Sequence, residues 1–219
     1  MNGLPYHDPN RCRAIGVLDD GVASLGATAL AHLRTADVVI GGARTLALFR
    51  HALKPGTLTH DLTGQLKAVP GWVRAAREAH QSCVVLATGD PLCHGIAPYL
   101  AQHLCLDALE ILPNLSTLQL ACARVGLAWQ DARIVSVHAA DAGEWQRGAP
   151  PSHGLYALAQ ALRAEQRLLL LTSPANCPDR IARLLLAEGL GSDFHMAVAE
   201  DLLQPDEQVH AQLSPTEAA

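Results

Sequence analysis

The chain is 219 residues long, 49% hydrophobic and 17% charged, with a net charge of -5 at neutral pH. This is a globular composition with room for one large or two small buried cores, and it excludes global disorder and a general nucleic-acid binder, which needs clustered Lys and Arg. No apolar run approaches the roughly 20 residues of a membrane span, and the polar start from Met1 to Arg13 has no apolar signal-peptide core, so a cytoplasmic protein without membrane contact is expected.

Charge is unevenly spread. Residues 1–60 carry six Lys/Arg against four Asp/Glu, and the rest of the chain carries ten against seventeen, so an anionic ligand meets less repulsion from the N-terminal part. The six cysteines form no C-x-x-C pair and read as reduced, mostly packed thiols. The histidines form no H-E-x-x-H or H-x-x-x-H pair, and no metal site is expected.

In chain order, Arg13 to Leu18 and Ala36 to Ile40 are short apolar runs closed by Asp19-Asp20-Gly21 and Gly41-Gly42, the pattern of buried strands. Between them Leu25 to Leu33 has helical spacing, which predicts a β-turn-α-β unit with its strands paired in parallel. Ser82 to Ala87 is a third buried strand, ending in Thr88-Gly89-Asp90-Pro91. Tyr99 to His103 closes a helix, Leu109 to Leu112 is a strand, and Ser116 to Val125 is a helix with Ser116 or Thr117 as its N-cap. That helix leads out of an N-terminal domain, 1–114, into a C-terminal one, 115–219. There, residues 132–137 and 167–172 are strands, 154–164 and 178–188 are helices, and Met196 to Leu213 holds two strands around a Pro205-Asp206 turn. Asp141 to His153, rich in Gly, Pro and charge, is expected to be a long mobile loop.

Two turns carry the candidate chemistry. Gly16 to Gly21 lacks both the G-x-G-x-x-G spacing and the Lys-Ser/Thr of a P-loop, so NAD and ATP sites of those types are disfavoured. By itself it reads equally as a structural turn with an Asp cap. Gly89-Asp90-Pro91-Leu92-Cys93-His94-Gly95 is more specific, because it follows a buried strand where open α/β sheets place ligands. Gly89 permits close backbone approach, Pro91 fixes the chain and Gly95 admits an unusual φ. The plain alternative is a tight loop with Asp90 capping the next helix.

The run VVLATGDPLCHGI, followed by LPNLSTLQLACARVGLAWQDARIVSVH at 112–138 and LTSPANCPDRIARLLLAEGLG at 171–191, resembles the tetrapyrrole methylase family over about residues 13–213. IGVLDDGVASLG and ADVVIGGARTLAL resemble its first loop and the strand and helix after it. Among members, the likeness is to those that methylate C5 of a precorrin ring during cobalamin synthesis. The departures are Leu18 and Asn114, each at a position that is glycine in relatives, and His94 in place of an aromatic. Asn114 is expected to inherit a positive φ.

The resemblance implies a two-domain α/β fold, with a parallel-sheet N-terminal domain, a mixed-sheet C-terminal domain and the active site in the cleft between them. It implies S-adenosylmethionine as cofactor, held by Gly89, Asp90, Pro91, Cys93, Ser116 and Thr117 together with Thr172 and Asn176. A precorrin would lie near Asp19, Asp20 and His138, and Arg44 is a candidate partner for the ring carboxylates by its charge. Catalysis would be chiefly positioning of the methyl and the carbon at about 3–3.5 Å, with His138 or Asp19 as candidate bases for the proton lost afterwards. A homodimer is implied, and because the sequence ends shortly after its final strand, C15 methylation and decarboxylation are expected in a separate partner protein or in a removed C-terminal part. Methylation at another ring position, and a non-catalytic tetrapyrrole-binding subunit of the same fold, are the alternative readings.

Overall fold

The computed structural model describes residues 11–105, 108–138 and 141–219, so the first ten residues of the polar start lie outside the described residues. The chain divides into two compact units, Met1–Thr117 and Leu118–Ala219.

The first unit is built on strands that are apolar on both faces. β1 (Cys12–Val17), β2 (Val38–Gly41) and β4 (Cys83–Thr88) are almost wholly buried, as strands covered by helices on both sides of a parallel sheet must be. With β3 (Leu58–Asp61) and β5 (Leu109–Leu112) they form a five-stranded sheet in the order β3-β2-β4-β1-β5, every neighbouring pair parallel. Successive side chains point to opposite faces. Val38, Ile40 and Val85 therefore join Val73 and Leu100 in one core, while Val39, Val84 and Leu86 join Ile15, Leu33 and Phe49 in another. The helices between strands are α1 (Ala27–Thr35), α2 (Ala43–Phe49), α3 (Val69–Glu78) and α4 (Ala97–His103).

Three features differ from the sequence reading. β1 and β2 are not paired, because β4 runs between them. β3 and α3 carried no legible signal: β3 is an edge strand that is mostly exposed, and α3 opens on Val69-Pro70-Gly71, which reads as a turn. What makes α3 helical is the stripe Val69, Val73 and Ala76, buried at helical spacing, with Pro70 in the first turn where its missing N–H costs nothing. Asp37, at the head of β2, takes hydrogen bonds from Lys54 Nζ at 2.6 Å and from the Ser82 amide and hydroxyl at 2.8 Å, which together hold its carboxyl down to about 2.

In the second unit, α5 (Thr117–Val125) leads to a parallel pair, β6 (Arg133–Ser136) and β7 (Leu168–Leu171), connected through α6 (Tyr156–Ala164). α7 (Pro178–Glu188) has Pro178 in its first turn and ends at Gly189 in the left-handed region, φ 77°, which are the punctuation signals of a helix start and stop. β8 (Met196–Glu200) and β9 (Gln208–Leu213) form an antiparallel hairpin, followed by the short α8 (Pro215–Ala218), which opens with a Ser214/Glu217 capping box. Both parallel and antiparallel pairing are thus present, as two separate two-stranded ladders.

The 141–153 loop is anchored, contrary to the mobility expected of its composition. Trp145 is only 6% exposed, and its indole N–H donates to Glu188 Oε1 at 2.7 Å. The other carboxylate oxygen accepts from Arg163 Nε at 3.0 Å. Asp141 pairs with Arg180, and Glu144 pairs with Arg183 at 2.9 Å. Burying an indole is worth about 2–3 kcal/mol, whereas each exposed ion pair adds well under 1 kcal/mol, so Trp145 is the dominant anchor. Burial alone would raise the Glu188 carboxyl, but the Trp145 and Arg163 hydrogen bonds outweigh it and hold it below its ordinary 4.5.

Glu188→Ala should therefore cost about 2 kcal/mol and shift Trp145 fluorescence toward that of a wet indole, measured by denaturant unfolding. Because the folded carboxyl titrates below the unfolded one, its contribution is complete above about pH 4.5 and lost as the pH falls through the folded value. The wild type should lose this increment on acidification, and Glu188→Gln should not.

Candidate functional site

In the first unit the loops that leave β1, β4 and β5 lie side by side, since β1 is hydrogen-bonded to both neighbours. The chain leaving β2 runs to one edge of the sheet and the chain leaving β4 to the other, which opens a crevice at the carboxyl ends of the strands. The three loops meet at Gly16. A Cβ there would fall 2.7 Å from the Asn114 amide nitrogen and 2.8 Å from its Cβ, and closer still to the Gly89 carbonyl. No side chain fits. The Gly89 amide extends the ladder by donating to the Val17 carbonyl at 2.8 Å.

The loop after β4 is held almost entirely by its own main chain. Gly89 has φ 73°, and a Cβ on it would touch the Leu115 carbonyl and Ser116 Cα at 3.5 Å. A Cβ has ordinary contact distances here, but a valine at this φ would strain the backbone, so Gly89→Val is expected to disturb the loop itself as well as any ligand contact. Asp90 does not cap the next helix, which has Ile96 at its N-cap. It closes a turn within the loop, accepting from the Leu92 amide at 2.9 Å on Oδ1 and from the Cys93 amide at 3.0 Å on its carbonyl. Pro91 is buried, and its carbonyl accepts from the Ala97 amide at 3.0 Å. Gly95 does not have a positive φ; glycine is required there because a Cβ would lie 2.5 Å from the Pro91 carbonyl. The left-handed residue is its neighbour His94, φ 54°. Burial, followed by the Asp90 charge, raises the Cys93 thiol above its ordinary range, against a hydrogen bond from the Ser116 hydroxyl. Ser116 itself is buried and Thr117 begins α5.

Asn114 corrects the sequence reading. It is absent from the positive-φ residues, and its side chain does the work instead. Nδ2 donates to the Gly16 carbonyl at 3.2 Å and to the Ser24 carbonyl at 3.0 Å, tying the end of β5 to the loop after β1. Leu18 is buried, its amide donating to Ser24 Oγ at 3.2 Å. Asp19 and Arg44 are brought together as an ion pair in which the arginine stays 66% exposed. Asp20 is exposed and makes no side-chain cap.

In the second unit the loops after β6 and β7 bring together His138, Thr172 and Asn176. The Thr172 carbonyl accepts from His138 Nδ1 at 3.0 Å, which fixes the tautomer and leaves the lone pair on Nε2. Asn176 is 1% exposed, its Nδ2 donating to the Val137 carbonyl at 3.1 Å and its amide bonded to Ser173. Arg180, which no sequence pattern marked, donates to the Ala175 carbonyl beside it. Among the described residues no group of three or more His, Cys, Asp or Glu side chains could hold a metal ion.

A family model for tetrapyrrole (corrin/porphyrin) methylases matches residues 14–215. The chain belongs to the tetrapyrrole methylase family. Among curated methylases it is 30% identical over 182 residues to the cobalt-precorrin-7 C(5)-methyltransferase of Salmonella typhimurium, covering 83% of this chain and 80% of the relative. It is 34% identical over 200 residues to the decarboxylating precorrin-6Y C(5,15)-methyltransferase of a Sinorhizobium species, covering 91% of this chain but 44% of that longer one. The fold is shared with uroporphyrin-III C-methyltransferase from Thermus thermophilus, solved with S-adenosylhomocysteine, at a TM-score of 0.62 and 24% identity over 95% of this chain and 85% of that one.

If Asn114 serves through its side chain, Asn114→Ala and Asn114→Gly should destabilise alike, by about 1–2 kcal/mol in denaturant unfolding. A glycine variant as stable as wild type would mean that the backbone, not the amide, matters here.

Proposed function

We propose that the protein is an S-adenosylmethionine-dependent methyltransferase that places one methyl group on C5 of a precorrin in cobalamin biosynthesis. The observation that carries this reading is the agreement of curated relatives at 30% and 34% identity, all along the matched chain, on C5 methylation. The geometry supports it: a crevice at the carboxyl ends of parallel strands, floored by two glycines where side chains do not fit, suits a ligand recognised through main-chain groups.

S-adenosylmethionine, when bound, supplies a methyl group already activated on a sulfonium. The protein's part is to hold and to orient. In this reading Gly89, Asp90, Pro91 and Cys93, with Ser116 and Thr117, are the cofactor residues of the first unit, and Thr172 and Asn176 are those of the second. Asp19, Asp20, Arg44 and His138 meet the precorrin. The Asp19–Arg44 pair keeps a guanidinium near the β1 loop, where it can exchange its carboxylate for one of the substrate's. His138, with Nδ1 committed to Thr172, offers Nε2 to the proton that leaves after transfer. No residue needs to act as a nucleophile, so positioning supplies most of the rate.

The working form in this reading is a cytoplasmic homodimer; no helix among the described residues is long and apolar enough to cross a membrane. C15 methylation and decarboxylation are no part of the activity proposed for these residues, which match the Sinorhizobium relative over 44% of its length.

Incubated with a precorrin and labelled cofactor, the purified chain should add a single methyl and release no carbon dioxide, as read by mass spectrometry. Calorimetry with S-adenosylhomocysteine should show binding to the wild type and none to Gly89→Val. Gly126→Ala serves as the control for strain, because Gly126 has a similar φ of 68° but nothing within 4 Å of its missing Cβ. It should lose about 1–2 kcal/mol of stability and keep its affinity.

A further inference from the structure

Arginine is an electrostatically poor choice for the third residue of α7. The helix opens Pro178-Asp179-Arg180, and the partial positive charge of its N-terminus attracts Asp179 and repels a cation. Arg180 is nevertheless tightly held: its side chain is 16% exposed, well below that of the solvated arginines whose ion pairs contribute little.

Its partners come from two sides. Asp141 pairs with Nη1 and Glu144 lies 3.4 Å from Nε, both from the 141–153 loop. The same Nη1 donates to the Ala175 carbonyl at 2.5 Å and reaches Asn176 Oδ1 at 3.5 Å. Ala175 and Asn176 close the turn after β7, in which the Asn176 amide donates to the Ser173 carbonyl at 3.0 Å and the Ser173 amide to the Asn176 carbonyl at 3.5 Å. Asn176 is held through Nδ2 on the Val137 carbonyl, while its Oδ1 faces the guanidinium at 3.5 Å, a distance short of a full hydrogen bond.

We propose, resting on the reading that Thr172 and Asn176 contact S-adenosylmethionine, that Arg180 is a positioning residue that locks the 173–176 turn in its cofactor-ready form and makes the 141–153 loop the lock's outer support. The carboxylates of Asp141 and Glu144 offset the repulsion between the guanidinium and the helix end, so the loop is what allows a cation to stand there. A planar guanidinium can serve a carboxylate and a carbonyl at once in fixed directions, which a lysine ammonium on a flexible stem does not match. A turn ordered in advance spares the cofactor the cost of ordering it. The effect of Arg180 therefore falls on affinity and not on the methyl-transfer step.

The test uses the intact chain without cofactor, with S-adenosylhomocysteine by calorimetry, and in turnover. Arg180→Ala should weaken S-adenosylhomocysteine about tenfold and raise KM for S-adenosylmethionine by a similar factor at unchanged kcat. It should also speed hydrogen exchange at the Ser173 and Asn176 amides in the cofactor-free protein. Arg180→Lys should recover part of each loss. Asp141→Asn, a milder change that keeps the side-chain shape should Arg180→Ala fail to fold, should shift all three readouts the same way by a smaller factor. Unchanged affinity and exchange in the folded variants, or a fall in kcat at constant KM, overturns the proposal. Wild-type protein that binds no S-adenosylhomocysteine overturns the methyltransferase reading and this inference with it, whereas wild-type binding with indifferent variants overturns this inference alone.

Discussion

The first unit depends on how closely three segments of main chain approach one another at Gly16. There the end of β1 passes between the Gly89 carbonyl and the Asn114 backbone with no space for even one carbon beyond Cα. That approach lets Gly89 continue the β1–β4 ladder and lets the Asn114 amide reach the Gly16 and Ser24 carbonyls. Adding a methyl would have to part backbone from backbone, which is far more costly than moving the end of a flexible side chain. The consequence is a rigid floor made of peptide groups, whose positions are set by sheet register and hardly at all by rotamers.

The second unit reaches a comparable rigidity through charge and one aromatic ring. Its long polar loop has little apolar surface of its own, so Trp145 does for it what a core does for a helix. Glu188 receives the indole N–H and an arginine in a site where a bare carboxylate could not remain. The exposed Arg183–Glu144 pair is weak by itself and the pair of the better buried Arg180 with Asp141 less so, and together they fix the direction in which the loop leaves.

Legibility in the sequence followed from how much of the physics is local. β4, β5 and α7 were plain because apolar runs are bounded by residues with strong backbone preferences: Gly89-Asp90-Pro91, Pro113 and Gly189. β3 was not, since an exposed edge strand leaves no hydrophobic pattern, and α3 was hidden by the Pro-Gly in its first turn. Residue type marks the site loops but not the part that each residue plays in them. Asn114 was read as a backbone substitute for glycine, whereas its hydrogen bonds join residues 98 and 90 positions apart, which no window can reveal. His94 carries the left-handed φ, a region in which histidine is enriched, whereas the sequence pattern pointed to its neighbour Gly95. The anchoring of the 141–153 loop had one local clue, a lone tryptophan among Gly, Pro and charge.

The environment of Cys93 bears on chemical self-protection. A sulfonium methyl donor is an electrophile toward any thiolate within reach, and the thiolate, not the thiol, is the nucleophile. Burial and the Asp90 charge push the Cys93 thiol further above its ordinary range, which lowers its thiolate fraction. In the proposed reading, the loop that cradles an alkylating agent thus presents its one sulfur in the form least able to be alkylated, and the same carboxylate that shapes the turn also shields the protein from its own reagent.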